Sequence, residues 1–328
     1  MGIKAAAWKH FGTGLKYWSF RITSYVSGKL PLRFAYWVGT IAGDVVYLTW
    51  RRHSANAVSN MRRVMGEHAD WQVVKETARD SFRNYAKTFV DFLRFPHIDQ
   101  EDITKTVDTK YGWENLEKAR SKGKGVIAIT GHIGNWDLAA AVMGTWGLPL
   151  NALADTFEPK KMDDLINGTR EKYGLKIIRL ETGSLKNIFS ALKRNEIVML
   201  LFDRPQPEQV VPVQFFGETA WLPEGPAAIA LKTKAAIIVG YCARSRGDKR
   251  FHGEFEAPLE YEHLLTGDKE RDIQIITQEI VSRMEDIIRR YPDQWFMFRQ
   301  MLPRTKRNDA EIKRRRFWGA GDSVEVPG

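Results

Sequence analysis

The fold is decided by one stretch of sequence, GVIAITGHIGNWDLAAAVM, which spans residues 125–143. Residues 125–130 are apolar and rich in β-branched side chains, residues 131–137 contain two glycines, and residues 138–143 are apolar helix formers. A strand, a turn and a helix in this order place His132 at the carboxyl end of a predicted parallel strand. Ligands bind at that edge of an open α/β sheet, so His132 is a candidate general base.

The same alternation of strands and helices continues on both sides of this stretch. Strands are predicted over residues 148–154, 175–180, 196–202 and 235–242, and helices over residues 113–122, 136–145, 160–173, 184–194 and 224–234. A hairpin-like strand over residues 251–256 and a long helix over residues 269–290 close the body. We therefore expect an α/β fold with a central, mainly parallel (mixed) sheet that is flanked by helices.

The ends of the chain differ from this body in composition. Residues 1–66 carry ten Lys or Arg residues and one acidic residue, and residues 304–328 carry seven Lys or Arg residues and four acidic residues. Because the whole chain has a net charge of +10, residues 67–303 have a net charge of −2. Basic ends bind phosphate on nucleic acids or on anionic lipids. We expect a helical, basic, membrane-associating region at 1–95, an α/β body at 96–303 and a basic tail at 304–328.

Aromatic residues in the first helix favour a lipid partner over nucleic acid. Trp8, Phe11, Leu15 and Trp18 fall on one side of a helix, with lysines interleaved, as in helices that lie in a membrane interface. The alternative is a soluble helix that packs on its own domain. Residues 34–43 carry no charge but are too few to span a bilayer, so we expect a buried or half-inserted hairpin. No signal peptide is expected, and the predicted location is peripheral or monotopic.

Two carboxylates are candidates to assist His132. Asp137 lies about 140° from it on an ideal helix, so the two meet only if residues 133–136 form a turn. Asp203 follows an apolar strand and would emerge at the same sheet edge. The alternatives are a structural turn around His132 and a local ion pair between Asp203 and Arg204. Spacing alone leaves the choice between the two carboxylates open.

Other chemistry-bearing residues give weaker signals. Arg170 lies on a predicted helix, either near the site or on a solvated face, and Glu224 opens a helix whose N–H groups are free to bind an anion. Cys242 is the single cysteine, which excludes an intramolecular disulfide, and its place within a strand is typical of a core residue. No second histidine lies at metal-ligand spacing from His132, so no metal is expected.

The sequence Gly131–Asp137 resembles the H-x-x-x-x-[DE] motif of the glycerolipid acyltransferases. It is most similar to the G-H-x-G-N-W-[DE] form found in lipid A late acyltransferases and phosphatidylinositol mannoside acyltransferases. The later motifs follow in a similar order: Asp203-Arg204 after a strand, Phe215-Phe216-Gly217-Glu218, Pro223-Glu224-Gly225-Pro226-Ala227 and a closing amphipathic helix. The resemblance covers about residues 75–300. Thr156 is a departure, because relatives commonly carry an arginine in that loop.

This resemblance implies an O-acyltransferase in which His132 takes a proton from an acceptor hydroxyl, assisted by Asp137 or Asp203. The implied acyl donor is acyl-CoA or acyl carrier protein, the acceptor is a membrane glycolipid, and no further cofactor is expected. The candidate substrate-binding residues are Asn135, Arg170, Arg204 and Glu224. The implied location is an anionic membrane surface, at the cytoplasmic face of the plasma (inner) membrane.

Two other functions are compatible with the sequence. A non-catalytic protein on the same fold would bind membranes or nucleic acid through its basic tail, Lys313–Trp318. A hydrolase would use His132 to activate water. The lack of a G-x-S-x-G nucleophile elbow fits direct acyl transfer without a covalent enzyme intermediate.

Overall fold

A computed structural model describes residues 3–181, 183–204, 209–247 and 250–301 of the chain. The predicted tail at 304–328 and the side chains of Trp8 and Phe11 lie outside the described part. The amino-terminal region is helical, as predicted. Its helices are α1 (Ile3–Lys29), α2 (Leu32–Thr49), α3 (Arg51–Met65) and α4 (Trp71–Arg94), and the short helix α5 (Gln100–Thr104) follows at the start of the body.

The α/β body follows and confirms the predicted alternation. Its elements are β1 (Val107–Tyr111), α6 (Trp113–Ser121), β2 (Val126–Thr130), α7 (Trp136–Thr145), β3 (Leu150–Ala154), α8 (Lys160–Lys172), β4 (Lys176–Arg179), α9 (Ser184–Lys193), β5 (Ile197–Leu201), β6 (Val210–Phe215), β7 (Glu218–Pro223), α10 (Gly225–Thr233), β8 (Ala236–Arg244), β9 (Phe251–Phe255) and α11 (Lys269–Arg290).

Seven strands form one mixed sheet in the order β1-β9-β8-β2-β5-β3-β4. Strand β2 lies near the centre and pairs in parallel with β5 and β8, while β9 runs antiparallel to β8. The strands β6 and β7 form a separate antiparallel hairpin. Apolar side chains cover both faces of β2, with Ile127 and Ile129 in one core and Val126 and Ala128 in the other. Such burial on both faces is typical of a parallel strand with helices on either side.

Three elements differ from the prediction. Strand β1 and the β6–β7 hairpin are not indicated by the sequence pattern, and residues 34–43 belong to the single helix α2 rather than to a hairpin. The helix continues through Gly39 and Gly43 because both lie where α2 packs closely on α4. A Cβ atom at Gly43 would lie 2.7 Å from the Cα atom of Arg83. These glycines therefore allow close helix packing and do not mark a turn.

No helix in the described ranges is both long enough and apolar enough to cross a membrane. Helix α2 packs on α4 through its inner face and is held there by Asp44, which accepts hydrogen bonds from Arg79 and Arg83 at 2.7 and 2.6 Å. Helix α4 also contacts the turn after β2, because the hydroxyl of Thr88 donates to the carbonyl of Gly134. The amino-terminal helices and the turn that carries His132 are thus in direct contact.

Candidate active site

His132 and Asp203 meet at the carboxyl ends of the neighbouring strands β2 and β5. The imidazole Nδ1 atom lies 2.6 Å from Oδ1 of Asp203, and the backbone N–H of His132 donates to Oδ2 of the same carboxylate at 2.9 Å. The indole N–H of Trp295 donates to Oδ2 as well, also at 2.9 Å. Asp203 is 1% exposed, so three donors hold one carboxylate inside the protein.

The charge state of Asp203 fixes the roles of the two imidazole nitrogens. Burial raises the pKa of this carboxyl, but its electrostatic attraction to the His132 ring and the hydrogen bonds that it accepts from His132 and Trp295 outweigh burial and hold the pKa below its ordinary value. An ionised carboxylate accepts hydrogen bonds and donates none, so Nδ1 of His132 carries the hydrogen. The Nε2 atom is then left as the nitrogen that accepts a proton, which is the arrangement of a general base oriented by a carboxylate.

Backbone contacts fix the turn that carries His132. Gly134 has φ of +61°, and a side chain there would collide with the carbonyl of Cys242. The N–H of Gly134 donates to the carbonyl of Gln294 at 2.9 Å, and that of Asn135 donates to the carbonyl of Cys242 at 2.8 Å. The N–H of Phe296 donates in turn to the carbonyl of His132 at 2.8 Å. The turn is therefore held between β8 and residues 294–296.

Asp137, the second predicted carboxylate, contacts Arg170 rather than His132. Its Oδ1 atom accepts from Nε of Arg170 at 2.8 Å, and both side chains are largely buried. Arg170 also donates to Asn167 at 3.1 Å and lies over the ring of Phe92. The structure therefore resolves the choice left open by the sequence in favour of Asp203 as the partner of His132, and it gives Asp137 the position of an anchor for Arg170.

A cavity of about 900 Å³ opens in front of this site. His132, Asp137, Arg170 and Arg204 contribute polar groups to its wall. The rest is mostly apolar and comes from α1, α4, β3, α8, α9, β5 and α10, with residues that include Phe20, Phe89, Phe92, Leu153, Met162, Ile166, Ile188 and Met199. None of residues 34–48 lines the cavity, because α2 packs on α4 and α4 forms this part of the wall.

Arg204 is the second cation of the cavity wall. Its side chain is half-buried, and its Nε atom has no hydrogen-bond partner among the described residues. Burial lowers the pKa of this guanidinium, and the neighbouring Asp203 opposes the effect. A guanidinium nevertheless stays protonated in proteins. Arg204 therefore presents a positively charged guanidinium to the cavity, where Asp203 and Asp155 are the carboxylates that interact with its charge.

The two other predicted substrate-binding residues lie differently. Asn135 is 1% exposed, and its side chain accepts from the N–H of Leu138 at 3.0 Å and donates to Asp91 at 3.1 Å. It caps helix α7 from inside the protein, away from the cavity wall. Glu224 precedes α10, and its neighbours Pro223 and Gly225 line the cavity while Glu224 itself does not. Its predicted role in substrate binding stays a prediction.

A buried cluster, which the sequence did not predict, lies behind the turn that carries His132. Asp91 accepts from Arg244 at 2.6 Å and from the hydroxyl of Tyr36, and Arg244 lies over the ring of Tyr36. The one available signal is an acid in the last turn of α4, a position at which the helix dipole disfavours negative charge. No sequence pattern predicts the contact of Trp295 with Asp203, because this contact depends on the tertiary fold.

Cys242 lies inside the protein, and burial raises the pKa of its thiol to about 12. A thiol in this state is a poor nucleophile, which agrees with the core position expected for it. Within the described ranges, no three His, Cys, Asp or Glu side chains are grouped as metal ligands. The expectation of a metal-free reaction stays a prediction.

Comparison with known proteins agrees with the resemblance seen in the motifs. The model of the bacterial lipid A biosynthesis acyltransferase family matches residues 5–304. A phosphatidylinositol mannoside acyltransferase of Mycolicibacterium smegmatis is 29% identical over 244 residues, which are 73% of this chain and 76% of the relative. A phosphatidylinositol mannoside acyltransferase of Mycobacterium tuberculosis is 26% identical over 223 residues, which are 66% of this chain and 67% of the relative. A lipid A biosynthesis acyltransferase of Haemophilus influenzae is 25% identical over 202 residues, which are 61% of this chain and 60% of the relative. The chain belongs to the bacterial lipid A biosynthesis acyltransferase family.

Proposed function

We propose that this protein transfers a fatty acyl chain from an acyl thioester, either acyl-CoA or acyl carrier protein, to a hydroxyl group of a membrane glycolipid. The acceptor is of the lipid A precursor or phosphatidylinositol mannoside type. The observation that carries the proposal is the His132–Asp203 pair, whose histidine lies in the wall of a large, mostly apolar cavity while the aspartate is buried behind it. The names of the related proteins support the acceptor class.

In the proposed reaction His132 is the general base. Its Nε2 atom takes the proton of the acceptor hydroxyl as the hydroxyl oxygen attacks the thioester carbonyl carbon. The Nδ1–H group donates to Asp203 throughout, and the buried carboxylate stabilises the imidazolium that forms. When the tetrahedral intermediate collapses, the C–S bond breaks and the thiolate receives the proton from Nε2. The ester and the free thiol leave, and the imidazole returns to its neutral form.

Apolar and cationic groups of the cavity wall have different proposed roles in substrate binding. Apolar side chains such as Phe89, Ile188 and Met199 provide a place for the acyl chain. Arg170 and Arg204 lie on the same wall as His132, where they are able to bind phosphate groups of the donor or the acceptor. The cavity volume of about 900 Å³ is at the upper end of ordinary ligand sites, as expected for a lipid substrate.

We place the reaction at the cytoplasmic face of the plasma (inner) membrane. Acyl-CoA and acyl carrier protein are cytoplasmic donors, whereas the acceptor is a component of the bilayer. The basic amino-terminal region, with ten Lys or Arg residues and one acid in residues 1–66, favours an anionic surface of this kind.

The test measures free thiol and acylated lipid for the wild type and for His132→Ala, with His68→Ala as the control. His68 is exposed in the turn before α4 and lies outside the cavity wall. We expect His132→Ala to lose both products and His68→Ala to retain them. If His132→Ala forms both products at the wild-type rate, the proposal is wrong. Thiol release by the wild type that does not depend on acceptor would instead indicate a hydrolase.

A further inference from the structure

A buried ion pair lies behind the turn that carries His132, and the proposed reaction does not use it. Arg244, the last residue of β8, donates to the Oδ2 atom of Asp91, near the end of α4, at 2.6 Å. Tyr36 of α2 completes the cluster, because its hydroxyl donates to Oδ1 of Asp91 and accepts from Arg244 at 2.8 Å. Asp91 is 7% exposed and Arg244 is 6% exposed. Three separate elements thus enclose both charges.

The ion pair is an energetically costly way to hold these elements together. Two charges that leave water lose their hydration, and apolar side chains of similar size often stabilise a protein equally well. The geometry of the pair is closely determined, because each oxygen of Asp91 accepts a hydrogen bond and the guanidinium lies over the rings of Tyr36 and Phe251 at 4.8 and 4.5 Å. A cluster fixed in this way is suited to set the position of the groups that it contacts.

The carboxylate of Asp91 contacts the turn directly. Its Oδ2 atom accepts from the side-chain amide of Asn135 at 3.1 Å. The side-chain oxygen of Asn135 accepts from the N–H of Leu138 at 3.0 Å, and its backbone N–H donates to the carbonyl of Cys242 at 2.8 Å. Asn135 is therefore held by its side chain and its backbone, and Asp91 fixes the point at which the turn enters α7.

The backbone of Arg244 is connected to the preceding residue of the turn. Its N–H donates to the side-chain oxygen of Gln294 at 2.7 Å, and its carbonyl accepts from the amide of the same side chain at 2.9 Å. The backbone carbonyl of Gln294 accepts in turn from the N–H of Gly134 at 2.9 Å, two residues after His132. The ion pair is thus connected by two routes to two successive residues of the turn.

We propose that Asp91 and Arg244 are positioning residues that set the place of His132 in the reaction. The proposal rests on the proposed function and deepens it. Among the cavity-lining residues that the structure describes, neither member of the pair is present, so both act through the turn rather than on a substrate. A general base needs hydrogen-bonding distance to the hydroxyl, and a misplacement of about 1 Å costs about 100-fold in rate. Movement of the turn therefore lowers kcat and leaves substrate binding unchanged.

The experiment compares Asp91→Asn with the control Glu196→Gln. Both carboxylates are 7% exposed, and both accept a hydrogen bond from an arginine. Glu196 precedes β5 at the amino-terminal edge of the sheet, opposite the edge that carries His132. The measurements are kcat and KM for thiol release, thermal unfolding of each protein, and the magnetic resonance spectrum of enzyme with isotope-labelled histidine. In that spectrum the Nδ1–H proton of His132 is identified by its absence from His132→Ala.

We expect Asp91→Asn to lower kcat by at least about tenfold, to keep KM within about twofold of the wild type, and to shift the Nδ1–H resonance of His132. Glu196→Gln should also lose stability but keep kcat and the resonance. Asp91→Leu with Arg244→Met leaves no unpaired buried charge, so it replaces Asp91→Asn if that variant does not fold. A folded variant with wild-type kcat, or one in which only KM rises, would overturn the proposal.

The resonance separates this proposal from the proposed function. If the wild type transfers no acyl chain, the proposed function fails, but the resonance still reports whether the ion pair positions the ring of His132. An unchanged resonance in a folded variant of the pair would overturn the positioning role of Asp91 and Arg244, whatever the activity of the wild type.

Discussion

The Nδ1 atom of His132 lies 2.6 Å from Oδ1 of Asp203, although 71 residues separate the two in sequence. The other oxygen of this carboxylate accepts from the backbone of His132 and from Trp295. One carboxylate thus holds both the backbone and the ring of the histidine, so the direction of Nε2 depends on Asp203.

Replacing Asp203 by Asn should lower kcat by about 10²–10⁴-fold, because the imidazolium loses its carboxylate and the ring is free to adopt the other tautomer. The measurement is the rate of thiol release under saturating donor and acceptor. Thermal unfolding of the same protein shows whether the folded fraction is unchanged. A folded Asp203→Asn enzyme with wild-type kcat would contradict the assignment of this residue.

Replacing Asp137 by Asn should act on substrate binding, because the Asp137 carboxylate anchors Arg170. We expect KM for the phosphate-bearing substrate to rise by about tenfold, with a smaller fall in kcat than Asp203→Asn causes. A wild-type KM together with a fall in kcat as large as that of Asp203→Asn would instead show that Asp137 assists His132 directly.

Replacing Asn135 by Ala should destabilise the protein by about 2 kcal/mol, since it removes the cap of α7 and a buried hydrogen bond to Asp91. Urea unfolding measures this change. The control is Asp70→Ala, which removes the solvent-exposed cap of α4 and should cost about 1 kcal/mol. If Asn135 acts in substrate binding instead, the variant will keep its stability and lose affinity for substrate.

The contribution of Asp44 to stability should depend on pH. Hydrogen bonds from Arg83, and from Arg79 to a smaller extent, lower the pKa of this carboxyl from 3.8 to about 2 in the folded protein. A carboxyl with a lowered pKa stabilises the fold above its unfolded pKa, and this stabilisation is lost as the pH falls through the folded value. Asp44→Asn should therefore cost about 2 kcal/mol at pH 7.

The difference between wild type and Asp44→Asn should decline below a pH of about 4 and nearly vanish at a pH of about 2. Urea unfolding of both proteins at several pH values measures it. A constant difference across this range would mean that the contacts of Asp44 stabilise the helices through packing rather than through its charge.

The β-α unit around His132 is predictable from sequence because each of its signals is local. An apolar β-branched run, a glycine turn and an apolar helix follow one another within residues 125–143. The β6–β7 hairpin is harder to predict, since Pro212 interrupts a strand pattern and favours a reading as loop. Helix α2 was not predicted as one continuous helix, because Gly39 and Gly43 are typical of a turn when only the local sequence is considered. Their role in close packing is evident only from the position of α4.

Part of the candidate site is likewise predictable from the local sequence, and part depends on the tertiary fold. Its residue types and the sheet edge are evident from the motif, but the choice between Asp137 and Asp203 depends on which strands are neighbours. Strand β5 lies next to β2 in the sheet, which brings Asp203 to His132, whereas the first turn of α7 carries Asp137 toward α8 and Arg170. The roles of Asp91 and Trp295 depend on contacts between distant segments, which no local pattern encodes.

The hydrogen bond from Trp295 to Asp203 also has a consequence for the order in which the enzyme is made. Trp295 follows Asp203 by 92 residues. A nascent chain that has left the ribosome only as far as the end of α10 contains the histidine and its carboxylate, but not the indole that holds this carboxylate in place. The same applies to Gln294 and Phe296, whose backbones fix the turn around His132. The candidate site therefore acquires its final geometry only after residues 294–296 have left the ribosome.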